Sequence, residues 1–136
     1  TRNLCALSDP ASNTTVVSPA KGGSWTIPGW HRLLFVSDDG ESVVVVYKGL
    51  NLVPVNVTLK EPVFLFYNRA SLMRTVTLGD LYQSTSELRR TVSHYAWFDS
   101  VDLNKSNQLV VQLVNGKKVA FGARSGLAQP LIPDNT

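Results

Sequence analysis

The chain has 136 residues, of which 43% are hydrophobic and 17% are charged, and its net charge is +3. This length suits one domain with a core of its own, and the charged fraction is below the ~25% of an average soluble domain. The thirteen Lys and Arg residues are spread along the chain, whereas nucleic-acid binding by counterion release needs a concentrated basic face. The composition argues against a nucleic-acid partner and is typical of secreted β-domains and viral shell proteins.

Cys5 is the only cysteine of the sequence, so an intramolecular disulfide and a cysteine-rich zinc site are both excluded. A secreted domain of this size usually has a disulfide, and its absence favours a reducing compartment or a virion protein assembled in the cytosol. No apolar run approaches the ~20 residues that span a bilayer, and no signal peptide begins the chain. The first residue is Thr rather than Met, so we expect a piece of a longer polypeptide. Because no apolar run is long enough, we expect no direct membrane insertion.

A hairpin is predicted early in the chain. The apolar segments RLLFVS at 32–37 and SVVVVY at 42–47 flank the sequence DDGE. Within that sequence Asp39-Gly40 supplies the positive φ that a hairpin turn needs.

Three further strands are predicted in the middle of the chain. In LVPVNVTL at 52–59 apolar and polar residues alternate, which predicts a strand with one buried face. Pro54 places that strand at a sheet edge or a bulge, because proline cannot donate to a ladder. PVFLFY at 62–67 is continuously apolar, as in a strand covered on both faces, and LMRTVTL at 72–78 alternates again.

The last third of the chain contains one ambiguous stretch and one clear hairpin. ELRRTVSHYAWF at 87–98 fits a helix or a strand, and its β-branched and aromatic residues favour a strand after a short helical turn at 84–89. Asn115-Gly116 separates two apolar runs, which predicts a hairpin with a type I′ turn.

These elements predict an all-β fold, an antiparallel β-sandwich of galectin-like or jelly-roll-like type with little helix. We expect a single domain overall. It has an extended amino-terminal segment at 1–24, a sandwich core at 25–124 and an extended carboxy-terminal strap or linker at 125–136.

No motif of the sequence indicates catalysis. A Ser-His-Asp set could be made of Ser93, His94 and Asp99, but no G-x-S-x-G motif surrounds the serine. His31, His94 and Cys5 lack the spacing of metal ligands, and no glycine-rich phosphate loop occurs. The sequence therefore predicts a protein that is not an enzyme and that uses no cofactor.

Tryptophans in a glycine- and proline-rich segment are the best candidates for a binding surface. The segment is GGSWTIPGWHRLLF, and a Trp in such a loop can stay partly exposed, as a ring that stacks on a sugar would. The alternative is that these rings belong to the core, where most Trp is largely buried. Arginine forks suit acidic sugars. The hypothetical carbohydrate-binding residues are Trp25, Trp30, Arg32, Arg69 and Arg74.

Four segments carry a resemblance to a known family: PGWHRLLF, GESVVVVYKGLN, KEPVFLFYN and YAWFDSVDLNKSNQLVVQLVNGKKVAFGAR. Their order resembles the distal head of the rotavirus spike protein over residues 25–124. The resemblance implies a galectin-like sandwich on the virion surface that binds a host cell-surface glycan, either in a groove between sheets or on a sheet face. It also implies contact with other copies or domains of the same viral surface protein.

Other functions fit the same pattern. Protruding domains of small icosahedral capsids would have a similar composition and a single cysteine. An extracellular lectin-type or adhesion module is the non-viral version, and a structural module without glycan binding is a further alternative. A small β-sandwich hydrolase is the enzymatic alternative.

Overall fold

The computed structural model describes residues 5–9, 14–18, 23–29, 31, 33–38, 40–47 and 51–132. Fourteen strands lie in this part of the chain: β1 Cys5–Asp9, β2 Thr14–Ser18, β3 Trp25–Pro28, β4 Leu34–Val36, β5 Ser42–Val46, β6 Leu52–Pro54, β7 Pro62–Asn68, β8 Ser71–Thr77, β9 Arg89–Arg90, β10 His94–Ala96, β11 Ser100–Leu103, β12 Gln108–Gln112, β13 Lys118–Gly122 and β14 Ala128–Gln129. Helix α1 at Leu78–Leu81 and a 3₁₀ turn at Thr85–Glu87 are the helical segments. The predicted all-β fold with little helix is confirmed.

The strands form four antiparallel sheets. The amino-terminal sheet has the order β1-β2-β3, and the central sheet has the order β4-β5-β7-β8. The small sheet has the order β6-β10-β9, and the carboxy-terminal sheet has the order β11-β12-β13-β14. Most paired strands are neighbours along the chain, so most of the pairing is made by local hairpins.

Strand β5 is buried on both faces. All of its residues, Ser42–Val46, are at most 3% exposed. Val44 and Val46 belong to a larger core, whereas Val43 and Val45 belong to a smaller one. Successive side chains of a strand point to opposite faces, so a run of valines is what a strand between two layers requires.

Aromatic rings fill the larger core. Phe64 of β7 lies 5.3 Å from Trp97 and 6.3 Å from Phe121 of β13, between ring centroids. Trp97 also meets Phe98 edge-on at 4.7 Å. Such ring pairs stabilise a fold by ~0.5–1.5 kcal/mol beyond the area that they bury. These contacts join the central sheet to the carboxy-terminal sheet and to the segment that follows β10.

The smaller core lies on the other face of the central sheet. It is made by Val17, Trp25 and Ile27 of the amino-terminal sheet with Val43, Val45 and Tyr67 of the central sheet. Strands β1 and β2, which the sequence reading did not predict, form a hairpin in register from Cys5 opposite Ser18 to Asp9 opposite Thr14. The central sheet is therefore covered on both sides.

The two predicted hairpins both form, and one of them has a different turn. Gly40 has a φ of 71° in the β4–β5 turn, as expected. In the β12–β13 turn Gly116 has a φ of 92°, whereas the φ of Asn115 is not positive. The type I′ prediction is wrong, because the loop has three residues rather than two: the N–H of Leu113 donates to the carbonyl of Lys117. The Asn115 side chain stabilises this loop with two hydrogen bonds. Its Nδ2 donates to Oε1 of Glu87, and its Oδ1 accepts from the N–H of Lys117.

Two other expectations from the sequence had mixed outcomes. The strand expected at 52–59 is wrong beyond Pro54, where the chain turns and the N–H of Val57 donates to the carbonyl of Pro54. The stretch at 87–98 is β rather than helix after a short helical turn, but the single strand is wrong: β9 and β10 are two short strands that pair antiparallel, with a turn between them.

Tyr82 joins three parts of the larger core through its hydroxyl group. The residue follows α1 and is 2% exposed. Its hydroxyl donates to the carbonyl of Trp97 and accepts from the N–H of Val114 at 3.1 Å. Burial raises the pKa of Tyr82 above its ordinary value.

We expect Tyr82→Phe to lower the free energy of unfolding by about 1–3 kcal/mol, because the buried Trp97 carbonyl and the partly buried Val114 N–H lose their partner. The raised pKa means that the hydroxyl contributes fully below the ordinary tyrosine pKa of 10.0. Its contribution is lost as pH rises through the higher folded-state value. Urea unfolding of both proteins should show a difference that narrows at alkaline pH.

Tyr95→Phe is the matched control, since the Tyr95 hydroxyl makes no hydrogen bond within the described residues and Arg90 stacks on its ring. An equal loss of stability in both variants would contradict the role given to the Tyr82 hydroxyl.

Candidate functional site

Trp25 is a core residue rather than an exposed loop residue. It begins β3, is 6% exposed and belongs to the smaller core. Its Nε1 donates to the carbonyl of Gly40 at 3.1 Å. The expected partly exposed ring is a wrong prediction, because β3 pairs with β2 and places this side chain against the central sheet. The core alternative describes Trp25 correctly.

The other predicted binding residues have different positions. Trp30 and Arg32 lie outside the described residues. Arg69 lies in the β7–β8 turn, where its guanidinium binds Glu41 through an Nε–Oε1 contact of 3.1 Å and an Nη2–Oε2 contact of 3.0 Å. Arg74 donates from Nη1 to the carbonyl of Gly126 at 2.8 Å.

The fold therefore brings only part of the predicted set together. Trp25 and Arg69 both contact the β4–β5 turn, at Gly40 and Glu41. Arg74 lies elsewhere on the sheet, where Gly126 packs against its Cβ and against the ring of Phe66 in the larger core.

A polar cleft of about 270 Å³ is the best candidate site in the described structure. It opens between the central sheet and the carboxy-terminal sheet, at the end of the larger core. Most of its lining side chains carry a hydroxyl, amide or guanidinium group. The lining residues are Ser37, Ser42, Ser106, Asn107, Gly122, Ala123, Arg124, Ser125 and Gln129.

Two buried serines form the wall of the cleft on the central sheet. Ser37 and Ser42 flank the β4–β5 turn and are buried. The N–H of Ser42 donates to Oγ of Ser37 at 3.0 Å, and the Ser37 N–H donates to the carbonyl of Ser42 at 2.9 Å. Along β5, Ser42 faces the same side as Val44 and Val46 of the larger core. Hydroxyl groups thus replace apolar side chains where the core ends.

An unmet hydrogen-bond acceptor lies beside this wall. Asn68 is directly opposite Ser42 in the pairing of β7 with β5. Its Oδ1 atom is buried and has no hydrogen-bond partner among the described residues. Buried polar atoms are almost always satisfied by protein, water or ligand. The Asn68 Oδ1 atom can therefore accept a hydrogen bond from a further donor.

Asn107 connects the two walls of the cleft. It has a φ of 56°, a conformation that Asn tolerates better than most residues. Its Oδ1 accepts from the N–H of Asp38 at 3.1 Å, and its carbonyl accepts from the N–H of Ala123 at 2.9 Å. The amide Nδ2 makes no hydrogen bond within the described residues and remains a donor for a ligand.

A buried glutamine positions the far side of the cleft. Gln108 is buried in β12, and its Nε2 donates to Oε1 of Gln129 at 3.0 Å and to the carbonyl of Pro130 at 2.9 Å. Its Oε1 accepts from the N–H of Ile132 at 2.9 Å. These bonds fix the segment after β13 against β12, so that the amide of Gln129 stays at the cleft.

The lining groups are suited to a ligand that carries many hydroxyls. Serine hydroxyls donate and accept, the two amides do both, and a guanidinium only donates. Arg124 is exposed and is the single charged residue among the described residues that line the cleft. None of these lining residues was among the binding residues predicted from the sequence. The signal was present in Ser42, a polar residue at an inward position of a valine strand.

The serine, histidine and aspartate considered for catalysis do not form a triad. Oγ of Ser93 lies 2.8 Å from Nδ1 of His94, in the exposed β9–β10 hairpin. Both carboxylate oxygens of Asp99 accept instead from Arg89, at 2.7 and 3.3 Å. This hydrogen-bonded ion pair holds the pKa of Asp99 below its ordinary value.

Neither a cluster of metal ligands nor a membrane-spanning helix occurs among the described residues. No group of three or more His, Cys, Asp and Glu side chains among them could hold a metal ion. No helix in this part of the chain has the length and apolar character needed to cross a membrane.

Comparison with known proteins gives no match to a family model, to a curated protein or to a solved structure. The resemblance to the rotavirus spike head stays a prediction from the sequence.

We expect Trp25→Ala to lower the free energy of unfolding by about 3–5 kcal/mol, because it empties a buried aromatic position. Thr26→Ala is the matched control, since Thr26 is exposed in the same strand. Urea unfolding measures both. A change within about 0.5 kcal/mol for Trp25→Ala, as at an ordinary surface position, would contradict the buried placement.

Proposed function

We propose that this protein is a non-enzymatic recognition domain of a viral surface protein, which attaches a virion to its host cell by binding carbohydrate. The observation that carries the proposal is the polar cleft at the end of the sandwich. Four serine hydroxyls, two side-chain amides and one guanidinium line it, and these groups can hydrogen-bond the hydroxyls of a sugar.

The size of the cleft fits a small ligand. Its volume of about 270 Å³ is just below the ~300 Å³ at which ligand pockets for drug-sized molecules begin. One sugar residue, with its neighbours extending into solvent, suits this volume better than a long buried chain.

The lining also indicates that each site binds weakly. No aromatic residue is among the described lining residues, so a sugar gains hydrogen bonds there without a stacking surface. Hydrogen bonds to a ligand replace bonds to water, and each contributes only about 0.5–1.5 kcal/mol net. Attachment then depends on many copies acting together, as on the surface of a particle.

The viral part of the proposal rests on the sequence. A low charge density, a single cysteine and the resemblance over residues 25–124 all favour a surface domain of a virion. A structural or adhesion module without glycan binding is the alternative that the experiment separates from it.

A glycan array probed with the purified domain, displayed in many copies on a bead, tests the proposal. We expect discrete carbohydrate hits. We also expect Arg124→Ala to weaken binding at least about tenfold, because a hydrogen bond from a charged group contributes about 1.5–3 kcal/mol and every ~1.4 kcal/mol is tenfold in affinity.

Arg90→Ala is the matched control, since Arg90 is exposed and belongs to the small sheet rather than to the cleft. It should bind as the unchanged protein does. An array without hits would support the structural module. Equal binding by the Arg124 and Arg90 variants would place the site away from the cleft.

A further inference from the structure

Asn115 is the asparagine of this chain whose surroundings best suit spontaneous deamidation. It is the only asparagine of the sequence that is followed by a glycine. Deamidation begins when the backbone nitrogen of the next residue attacks the side-chain amide carbon, and a residue without a Cβ atom hinders that approach least. Gly116 is exposed, and no atom beyond its chain neighbours lies within 4 Å of the place where its Cβ would be. The β12–β13 turn therefore has room for the cyclic imide that the attack forms.

The side-chain amide of Asn115 is held at both of its polar atoms. Its Nδ2 donates to Oε1 of Glu87 at 3.1 Å, and its Oδ1 accepts from the N–H of Lys117 at 3.0 Å. The N–H of Gly116, whose nitrogen would attack, donates to the carbonyl of Leu113 at 3.3 Å, which is longer than most bonds of this kind. The amide is thus restrained more firmly than the nitrogen that would attack it.

Glu87 is itself fixed by bonds that do not involve Asn115. Its Oε2 accepts from the N–H of Gln83 at 2.7 Å and from the N–H of Ser84 at 3.1 Å, so it completes the capping box of the 3₁₀ turn at Thr85–Glu87. The hydrogen bond from Asn115, followed by that from the Gln83 N–H, holds the pKa of Glu87 below its ordinary value. One ionised carboxylate therefore joins the 3₁₀ turn to the β12–β13 turn.

We propose that Asn115 is a site of spontaneous deamidation and that Glu87 slows this reaction in the folded protein. The backbone nitrogen of Gly116 gives its proton to hydroxide and bonds to Cγ of Asn115. The Cγ–Nδ2 bond breaks, and Nδ2 takes a proton from water and leaves as ammonia. Water then opens the cyclic imide. Attack at Cγ breaks the Cγ–N bond and leaves aspartate, whereas attack at the backbone carbonyl carbon breaks its bond to nitrogen and leaves isoaspartate.

Glu87 opposes the first of these steps in two ways. The leaving atom Nδ2 is bonded to Glu87, so this bond must break before ammonia can depart. The attack also needs Cγ aligned with the backbone nitrogen of Gly116, and the amide cannot turn freely while both of its polar atoms are bonded. An unfolded chain lacks these bonds and deamidates without that restraint.

Deamidation would break the link between the two turns. A carboxylate at position 115 has no N–H to donate to Glu87, and it places a second negative charge beside the first. Neither Asn115 nor Glu87 lines the polar cleft. The inference therefore goes beyond the proposed function and does not rest on it.

Peptide-mapping mass spectrometry of the purified protein, incubated at mildly alkaline pH with and without urea, tests the inference. We expect Asn115 to gain the mass of an amide-to-acid conversion more slowly in the folded protein than in urea. Glu87→Asp is the decisive variant. Its carboxylate can still cap the turn, as that of Asp80 does for α1, but it is one methylene group too short to stay at Asn115. Folded Glu87→Asp should deamidate about fivefold faster, since the loss of one hydrogen bond of ordinary strength changes a rate by about that factor.

Two controls separate the contact with Asn115 from capping in general. Glu87→Gln keeps the length of the side chain and an oxygen that accepts from Asn115, and it should deamidate as the unchanged protein does. Asp80→Ala removes a cap elsewhere and should also leave the rate unchanged. Glu87→Ala replaces Glu87→Asp, should the latter fail to fold as judged by circular dichroism.

Four results would overturn the inference. The first is no mass gain at Asn115 even in urea, and the second is an equal rate in the folded and the unfolded protein. The third is a folded Glu87→Asp or Glu87→Ala variant that deamidates no faster than the unchanged protein. The fourth is a Glu87→Gln or Asp80→Ala variant that is as fast as Glu87→Asp.

Discussion

The burial of β5 on both faces is the constraint on which the rest of the structure depends. Its valines alternate between the larger and the smaller core, so neither layer can be removed without exposing one side of this strand. A valine side chain gains about 1.5–3 kcal/mol from full burial, and the four valines divide that gain between two faces. This explains why a short amino-terminal sheet belongs to the fold although the sandwich on the other face has its own aromatic core.

The cleft is a consequence of how the same strand begins. Val44 and Val46 fill the space between two sheets, whereas Ser42 occupies the next position on that face and leaves polar space. The turn at Asn107 and the segment fixed by Gln108 close the opposite side. Ser42 at the start of β5 therefore belongs to one wall, whereas Gly122 of β13 and Gln129 of β14 belong to the other. Strand pairing and hydrogen bonds in the turns therefore hold the polar side chains of the cleft in place.

The proposed weak recognition at each cleft is compatible with attachment through many copies. A site that offers hydrogen bonds without a stacking ring gains little against water, so a single contact is short-lived. When two or more sites are linked, the second contact forms at a high effective concentration, and overall avidity rises by orders of magnitude without new contacts.

The sequence by itself determined the elements whose signal is local. The valine run of β5, the apolar run of β7, the glycine turn at Gly40 and the hairpin around Gly116 follow from side-chain period and from glycine's access to positive φ. Tertiary structure alone decided where side chains with two possible environments lie. Trp25 has the same loop-like neighbours whether buried or exposed, and pairing of β3 with β2 placed it in the core. Ser37, Asn107, Arg124 and Gln129 are distant in sequence and meet only because two sheets end together. No local pattern encodes that meeting, because it depends on packing between strands rather than on their order.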